Sequence, residues 1–494
     1  MNFNELIKGK ATADDMIKEL KRGRPTDLPD VDEFVKQIDP AQHDINDTAN
    51  RPDKWVKVDI DDAKDEDGNN ITVTVGDGEG KRTTMRKEAV ARVAFALQKL
   101  IVKRAVAFTF GNPVVLNADI EDGSKEQEVF DAVKKVLFKT KGRTVNRTVA
   151  REIFSTTEAA ELWYVVDKPN NYGFKSKKTL RCAILKPSEG NELYPYFDET
   201  GDLVAFSRAY ETEGEKKIKT NHFETYTDEL IFKFIKRPGE QWEIEEHYPK
   251  DNYIGKIPII YGRQPEVEWA DVQNLIDRLE KLLSNFADTN DYHASPKIVT
   301  TGEILGWSKK GEAGAVIEME ETGEAKYLSW DQAPEAVRLE IDTLLRMIYT
   351  ITQTPDISSE GVKGLGSNIS GVALQLLFMD AHLKVQDKME IFDDYLQRRM
   401  AVIQAFLAKM NAGDSAFATA CESLDIEPEI EPFMINDEES RINILLAANG
   451  QKAIASRKTT IGQLGWVKDT EAEMEQIEME EAPELYASVM EPTI

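Results

Sequence analysis

The chain has 494 residues, of which 41% are hydrophobic and 31% are charged, and its formal net charge is −27. This length allows two or more hydrophobic cores, while the large negative charge argues against a free surface that holds nucleic acid electrostatically, because phosphate binding needs Lys and Arg. The two cysteines, Cys182 and Cys421, lie far apart in the sequence, so a disulfide framework is not expected.

The first part of the chain is polar and then alternates in hydrophobicity. Residues 1–50 are predicted to form an N-terminal arm. The prolines and acids from Pro29 to Asp53 favour an extended backbone there. Alternation over 55–75 predicts two strands. A Gly-rich run follows, but a phosphate-binding loop would require Gly at 75 and Ser or Thr at 82, where this sequence has Val75 and Arg82. The run is therefore predicted to be a turn rather than a nucleotide site.

Helices are predicted next, over 84–108 and over 126–160. The most apolar stretch, 89–110, carries four basic residues and is too charged to span a bilayer, so no membrane partner is expected. The second helical region is the most basic part of the chain, and its bases fit a solvated helix face better than a binding patch. These bases are Lys134, Lys135, Lys139, Lys141, Arg143, Arg147 and Arg151.

From Ala160 to Tyr261 the pattern becomes that of β-structure. Short runs of β-branched and aromatic residues are separated by turn sequences such as Asp198-Glu199-Thr200-Gly201. Together with the preceding helices, this makes residues 51–264 a mixed α/β region.

Two helices with apolar stripes flank a small insert in the central part of the chain. The first is predicted over 265–293 and the second over 335–354. Residues 294–334 between them are rich in Gly and β-branched residues and predict short strands. The stripe residues are Val272, Leu275, Leu279, Leu282 and Phe286 in the first helix, and Val337, Ile341, Leu344, Ile348 and Ile351 in the second. The insert carries Leu305, Trp307, Tyr327 and Trp330, too few for a large core of its own.

A Gly-rich loop at 355–369 separates the second helix from a very long one, predicted over 370–412. The long helix would extend roughly 60 Å at about 1.5 Å per residue. Pro355 ends the preceding helix, and the glycines leave the loop backbone free to take several shapes. An ordinary surface connector is the alternative interpretation of this loop. The polar and glycine residues of interest are Asp356, Glu360, Gly361, Lys363, Gly364, Gly366, Ser367 and Asn368.

Residues 413–494 are predicted to form a last, mainly helical domain. Its end, from Asp469 to Ile494, contains nine acids and no Lys or Arg. This composition is typical of a solvated tail, and we expect disorder in its last dozen residues.

No residue pattern in the chain is organised for catalysis or metal binding. The five histidines are scattered without ligand spacing, and a helix end explains the group Asp288, Asp291 and His293 as well as a metal would. The sequence therefore predicts a non-enzymatic protein with no cofactor and no metal.

The sequence of these parts resembles the portal proteins of tailed double-stranded DNA bacteriophages of the long-tailed type. Three stretches carry the likeness: Gly255–Tyr261, Asp271–Asp277 and Ser370–Leu374. The resemblance implies an α+β portal fold. In it, 51–264 is the first part of the wing, 265–293 and 335–354 form the stem, 294–334 is the clip, 355–369 is the tunnel loop, 370–412 is the long wing helix, and 413–494 is the crown with its acidic tail.

The resemblance also implies a function. Subunits of that family assemble, typically as twelve, into a ring at one capsid vertex through which double-stranded DNA is packaged and ejected. The implied partners are the terminase large subunit at the clip, the major capsid and scaffolding proteins, and head-completion or adaptor proteins. The implied location is the virion, with assembly in the host cytoplasm. A helical scaffold or assembly protein with long coiled segments is the alternative, although it would gain nothing from the Gly-rich loop.

The stem acids suggest a hypothesis about the channel. From Glu266 to His293 there are seven acids and two bases, so a ring would surround DNA mostly with like charge, which discourages adhesion.

Overall fold

The computed structural model describes residues 12–59, 75–76, 82–214, 217–294, 298–301, 304–307, 317–319, 324–327, 333–356, 378–433, 438–450, 453–464, 467 and 469–489. The chain forms two compact units, Met1–Pro355 with Asp380–Phe433 and Asp356–Met379 with Met434–Ile494. Both helices and antiparallel strands contribute, so the predicted α+β class is confirmed.

The α-helices of the described residues are α1 (Ala13–Arg22), α2 (Val31–Ile38), α3 (Leu97–Phe110), α4 (Lys125–Lys139), α5 (Gly142–Thr156), α6 (Gln273–Ala294), α7 (Ala333–Ile351), α8 (Met379–Met410), α9 (Ser415–Ser423), α10 (Glu438–Ala448), α11 (Arg457–Gly462) and α12 (Thr470–Val489). Short 3-10 turns cover Pro40–Gln42, Asp44–Asn46, Pro187–Glu189 and Ala270–Val272.

The strands are β1 (Lys54–Asp59), β2 (Val75–Gly76), β3 (Arg82–Glu88), β4 (Val115–Asn117), β5 (Glu158–Val166), β6 (Asn170–Asn171), β7 (Lys175–Ser176), β8 (Thr179–Leu185), β9 (Glu192–Phe197), β10 (Leu203–Glu213), β11 (Lys219–Tyr226), β12 (Leu230–Lys236), β13 (Glu243–Ile244), β14 (Lys250–Asp251), β15 (Ile259–Arg263), β16 (Ile298–Thr301), β17 (Ile304–Trp307), β18 (Ile317–Met319), β19 (Glu324–Tyr327) and β20 (Glu427–Glu429). All their pairings are antiparallel.

The N-terminal residues are folded against the rest of their unit, and the segment from Pro29 to Asp53, predicted to be extended, contains α2 and the 3-10 turns Pro40–Gln42 and Asp44–Asn46. The Thr12 side chain caps α1, whose apolar face packs on the sheet of β9 to β14. Gly23 ends the helix where a Cβ atom would lie 1.8 Å from the Tyr196 ring. Arg24 then forms a buried ion pair with Glu158, with 2.9 Å between Nη2 and Oε2. Proline and acid content therefore failed to reveal a segment held by tertiary contacts.

The helix predicted over 84–108 begins only at Leu97. Its first residues belong to β3, which pairs with β1 from Lys54 opposite Glu88. Residues 89–96 are irregular, because three of their backbone amides donate hydrogen bonds to side chains of α6 instead of to a helix or sheet. Of the second predicted strand, only Val75 lies within the described residues, in β2, which pairs with the other edge of β3.

The main core surrounds the long helix α8. The three-stranded sheet of β15, β5 and β8 lies beside it, and helices α3 to α7 contribute to the same core. Buried side chains along α8 include Phe392, Tyr395, Met400, Ile403 and Leu407. At about 1.5 Å per residue its 32 residues extend roughly 48 Å. Residues 370–377, where the sequence predicts the start of this helix, lie outside the described residues.

The second unit contains α10, α11 and α12. The disordered tail predicted by acid content is instead helical as far as Val489. Asp469 caps α12 by accepting hydrogen bonds from the Glu471 and Ala472 amides at 3.1 Å each. Acids in the first turn, Glu471 and Glu473, also suit the positive end of a helix. The acidic composition is thus compatible with an ordered helix.

Glu224 on β11 is the centre of a buried polar network in the large sheet. Its carboxylate lies 2.8 Å from both Arg208 and Lys233, and the hydroxyls of Tyr210 and Tyr226 donate to it. Burial would raise the pKa of Glu224, but the two cations outweigh this effect and lower it to about 2. The carboxylate is therefore stabilised in its charged form.

We expect Glu224→Gln to lower the free energy of unfolding by roughly 3 kcal/mol at neutral pH, because two partly buried cations lose their counter-charge. The folded-state pKa is depressed from 4.5, so this stability is fully present above about pH 4.5 and is lost as pH falls towards 2. Urea unfolding of both proteins between pH 3 and pH 7 measures the difference. Glu211→Gln is the control, since Glu211 pairs with Lys219 on the surface; equal effects of the two changes would contradict the assignment.

Candidate functional site

Helices α6 and α7, the predicted stem pair, pack against each other and against the main core. Arg278 on α6 bridges to Glu340 on α7, with 2.6 Å between Nη2 and Oε1. Two antiparallel strand pairs, β16–β19 and β17–β18, lie in the part of the chain between these helices. The chain thus contains the predicted order of helix, small β insert and helix.

The first of these helices begins at Gln273, later than the predicted Pro265. The preceding residues are held by tertiary hydrogen bonds to α5 and its end: the Gln264 amide donates to the Thr157 carbonyl at 2.8 Å, and the Glu268 amide to the Phe154 carbonyl at 3.1 Å. Trp269 is fully buried and donates from Nε1 to Gln37. These contacts use the backbone groups that a helix would need, so the helix starts only after the 3-10 turn.

The predicted apolar stripes face the core of their own chain. In α6 and the turn before it, Val272 and Leu279 are buried; in α7, Leu344 and Ile348 are buried. Five further stripe residues are partly buried: Leu275, Leu282, Phe286, Val337 and Ile341. Ile276, which the spacing did not single out, is fully buried as well.

Three apolar residues of α7 remain exposed. Leu339 and Met347 lie off the predicted stripe and are 67% and 46% exposed. Ile351, which the spacing predicts on the buried stripe seven residues after Leu344, is 44% exposed because it is the last residue of the helix. Exposed apolar residues of this kind are available for contact with another element.

Three side chains on α6 bind the extended segment 89–96. Their spacing of four residues, about 6 Å along a helix, matches alternate residues of an extended chain, which are about 6.6 Å apart. The hydrogen bonds from amide to side-chain oxygen are Ala91 to Asp288 at 2.8 Å, Val93 to Ser284 at 2.9 Å and Phe95 to Glu280 at 2.8 Å. We call this set the α6 ladder.

Glu280 of the α6 ladder also pairs with His43. The His43 Nδ1 lies 2.7 Å from Glu280 Oε1, and its Nε2 lies 2.7 Å from the Gln37 carbonyl oxygen. An ionised Glu280 and the Gln37 carbonyl both accept hydrogen bonds, so this geometry favours a proton on each ring nitrogen of His43, which gives the ring a positive charge. Burial opposes this charge, but the hydrogen bond and charge of Glu280 outweigh it and raise the pKa of His43. The pair fixes the N-terminal residues to α6.

Glu268, just before α6, is the counter-charge of two lysines on α8. Its Oε2 lies 2.5 Å from Lys384 Nζ and its Oε1 lies 2.6 Å from Lys388 Nζ, and the side chains are 3%, 11% and 15% exposed. Burial would raise the pKa of Glu268, but both lysines outweigh this effect and lower it. Lys384 Nζ also donates to the Thr352 carbonyl at 3.0 Å, which joins the end of α7 to the same group.

Three of the seven acids of 266–293 are used in contacts within the chain. The side chains of Glu268 and Glu280 are buried and paired, and Asp288 binds Arg51 at 2.7 Å. The other four, Glu266, Asp271, Asp277 and Asp291, are exposed, together with the bases Arg278 and Lys281. The buried roles could not be predicted from the sequence because their partners are distant along the chain.

The other predicted site residues are only partly within the described residues. Leu305 and Trp307 lie on β17 and Tyr327 on β19, while Trp330 lies outside the described residues. In the loop, Asp356 is described; Glu360, Gly361, Lys363, Gly364, Gly366, Ser367 and Asn368 lie outside the described residues. Their roles therefore stay predictions.

The described part of the chain contains no group of three or more His, Cys, Asp or Glu side chains arranged to hold a metal ion. No helix in it combines the length and apolarity that crossing a bilayer requires.

Comparisons with known proteins identify a family model and similar solved structures. The family model described as "Phage portal protein, SPP1 Gp6-like" matches residues 19–484. The chain is similar to a solved structure described as "Neck of empty GTA particle computed with C6 symmetry", with 10% sequence identity and a TM-score of 0.42, over 76% of this chain and 88% of that chain. No curated protein sequence matches.

We expect Glu268→Gln to lower the free energy of unfolding by roughly 3–5 kcal/mol, because Lys384 and Lys388 would remain buried without a counter-charge. Chemical denaturation followed by tryptophan fluorescence measures this loss. The matched control is Glu266→Gln, two residues away and exposed, which should change stability by less than about 0.5 kcal/mol. A small effect of Glu268→Gln would show that the three groups do not hold α6 to α8.

Proposed function

Because the chain belongs to the SPP1 Gp6-like phage portal protein family, we propose that it assembles into a ring of identical subunits, twelve by the family's usual number, at one vertex of a phage capsid. Double-stranded DNA would pass through the ring during packaging and ejection. The observation that carries this proposal is the family match over residues 19–484, which includes nearly every element described above. The alternative of a helical scaffold protein has no comparable support.

The helix pair α6–α7 would form the stem of the channel. The contacts to α8 and to His43 fix α6 from the inside of its own subunit. They leave its exposed face, and the exposed Leu339, Met347 and Ile351 of α7, for neighbouring subunits or the lumen. A rigidly held helix suits a wall past which DNA moves, since the wall must keep its shape while the DNA slides.

The loop at 355–369 would be the tunnel loop, and the insert at 294–334 the clip. Lys363 is the only base of the loop, against Asp356 and Glu360. A ring of Lys363 side chains would place weak, exposed phosphate contacts at one level of the channel. On the clip, Leu305, Trp307, Tyr327 and Trp330 would dock the terminase large subunit during packaging and the head-completion or adaptor proteins afterwards.

The remaining partners and locations follow from the same proposal. The major capsid and scaffolding proteins would surround the wing, and assembly would take place in the host cytoplasm before the protein becomes part of the virion. ATP hydrolysis would belong to the terminase motor. The portal itself would have a structural role without a cofactor.

Electron microscopy of the purified full-length protein tests the ring directly. We expect closed rings with a central hole, because a heterologous contact between identical subunits closes into a ring when its rotation divides a full turn. Monomers or open filaments at micromolar concentrations, under all salt conditions tried, would contradict the portal proposal.

We expect Lys363→Glu, or Val in place of both Gly364 and Gly366, to leave rings intact and to reduce packaged DNA. The first change places negative charge next to phosphates, and the second restricts the loop backbone. Nuclease-protected DNA in capsids assembled with each variant measures the effect. Ser359→Ala is a conservative control in the same loop, at a residue outside the candidate set. Full-length protected genomes in both variants would show that the loop neither contacts nor gates the DNA.

A further inference from the structure

A concentrated basic surface lies at the end of α4 and along α5, in a chain whose net charge is −27. Seven bases occur between Lys134 and Arg151 with no acid among them, and all seven are exposed. Within the described residues, none of them forms an ion pair with an acid. A solvated helix face would normally mix both signs, so among the described residues this surface has no acidic counterpart paired with it.

Phe138 projects from the middle of this basic surface. It is 85% exposed, and its neighbours Lys134, Lys139 and Lys141 surround it on the helix end and the following turn. Beside it is a cavity of about 510 Å³ with an apolar lining that includes Leu116, Leu137 and Met400. An exposed aromatic side chain at the centre of a charged patch is typical of an interface anchor.

An acidic groove of about 780 Å³ lies at the end of β4. Its lining includes Asp119, Glu126, Asp425 and Glu427. Leu116 lines the apolar cavity and Asn117 lines the acidic groove, and the two linings share no residue. The basic surface and the acidic groove are therefore two separate patches of one subunit.

We propose that Phe138 and the basic surface of one copy dock into the acidic groove of the next copy. This inference rests on the proposed ring and names the surfaces that would close it. Cyclic assembly needs two different patches that meet head to tail, and one subunit carries both here. Opposite charges on the two patches favour the contact, and like charges oppose any pairing of a patch with itself.

Charge exchange tests the contact in the full-length protein. Lys134→Glu with Lys141→Glu, and separately Asp119→Lys with Glu427→Lys, should each raise the protein concentration needed for half-maximal ring assembly by roughly tenfold or more, because each places like charges opposite one another. The four changes combined in one chain should restore assembly. Phe138→Ala should weaken assembly to a similar extent, as loss of an aromatic anchor does. Mass photometry measures the assembled fraction, and circular dichroism checks folding.

A matched control is Lys18→Glu with Lys36→Glu, which changes the net charge equally at exposed sites on α1 and α2 and should leave assembly unchanged. If the unchanged protein forms rings and every variant forms them equally well, the proposed interface is wrong and the portal proposal is unaffected. No rings from the unchanged protein would overturn the portal proposal itself. Failure of the four-fold variant to assemble better than its two parents would also overturn the interface.

A cross-link distinguishes neighbouring copies from changes within one copy. Arg143 is exposed and lines the cavity beside Phe138, so a cysteine there keeps the anchor. Separate preparations of Arg143→Cys and Glu427→Cys protein, once mixed and oxidised, should give a disulfide-linked dimer. Mixing Arg143→Cys with Ile218→Cys protein, a change at an exposed residue outside both patches, should give none. Equal cross-linking in both mixtures would contradict the proposed contact.

Discussion

The buried ion pair between Arg399 and Glu161 holds the long helix to the central sheet, and the rest of the structure depends on it. Arg399 is 3% exposed and Glu161 is fully buried; the guanidinium binds both carboxylate oxygens and Asn146, while Trp163 donates to the same carboxylate. A paired arrangement of this kind fixes orientation as well as position, because any rotation of the helix would leave a buried charge unpaired. With α8 fixed, its lysines can hold Glu268, and Glu268 in turn positions the start of α6.

The acids of α6 serve two purposes that sequence composition does not separate. One set consists of Glu268 and the two acids of the α6 ladder, Glu280 and Asp288. Inside the subunit it binds backbone amides, lysines, Arg51 and His43. The other set remains at the surface with Arg278 and Lys281 nearby. In a portal ring, the wall would therefore be less acidic than a count of carboxylates suggests. The internal set instead gives the helix a fixed shape against which DNA could move.

Local patterns in the sequence predicted much of this fold. The spacing of apolar residues gave α6, α7 and the buried side chains Leu279, Leu344 and Ile348, since helical periodicity is a local property. The residue at which α6 begins and the helical structure of residues 31–38 were not predictable from the sequence, because tertiary contacts determine both. The pairing of His43 with Glu280 spans 237 residues, and no local signal identifies such a partner. The loop and clip assignments rest on the family resemblance and stay predictions.

The span of the Arg399–Glu161 contact also bears on the timing of synthesis. These residues are 238 positions apart, so at the usual 5–20 residues per second Glu161 leaves the ribosome roughly 10–50 s before its partner. Until then the carboxylate that will be buried at the centre of the sheet has no counter-charge, and the sheet cannot close around it. High contact order of this kind delays folding until most of the chain exists. We expect nascent chains to remain monomeric, so that subunits join a ring only after their synthesis is nearly complete.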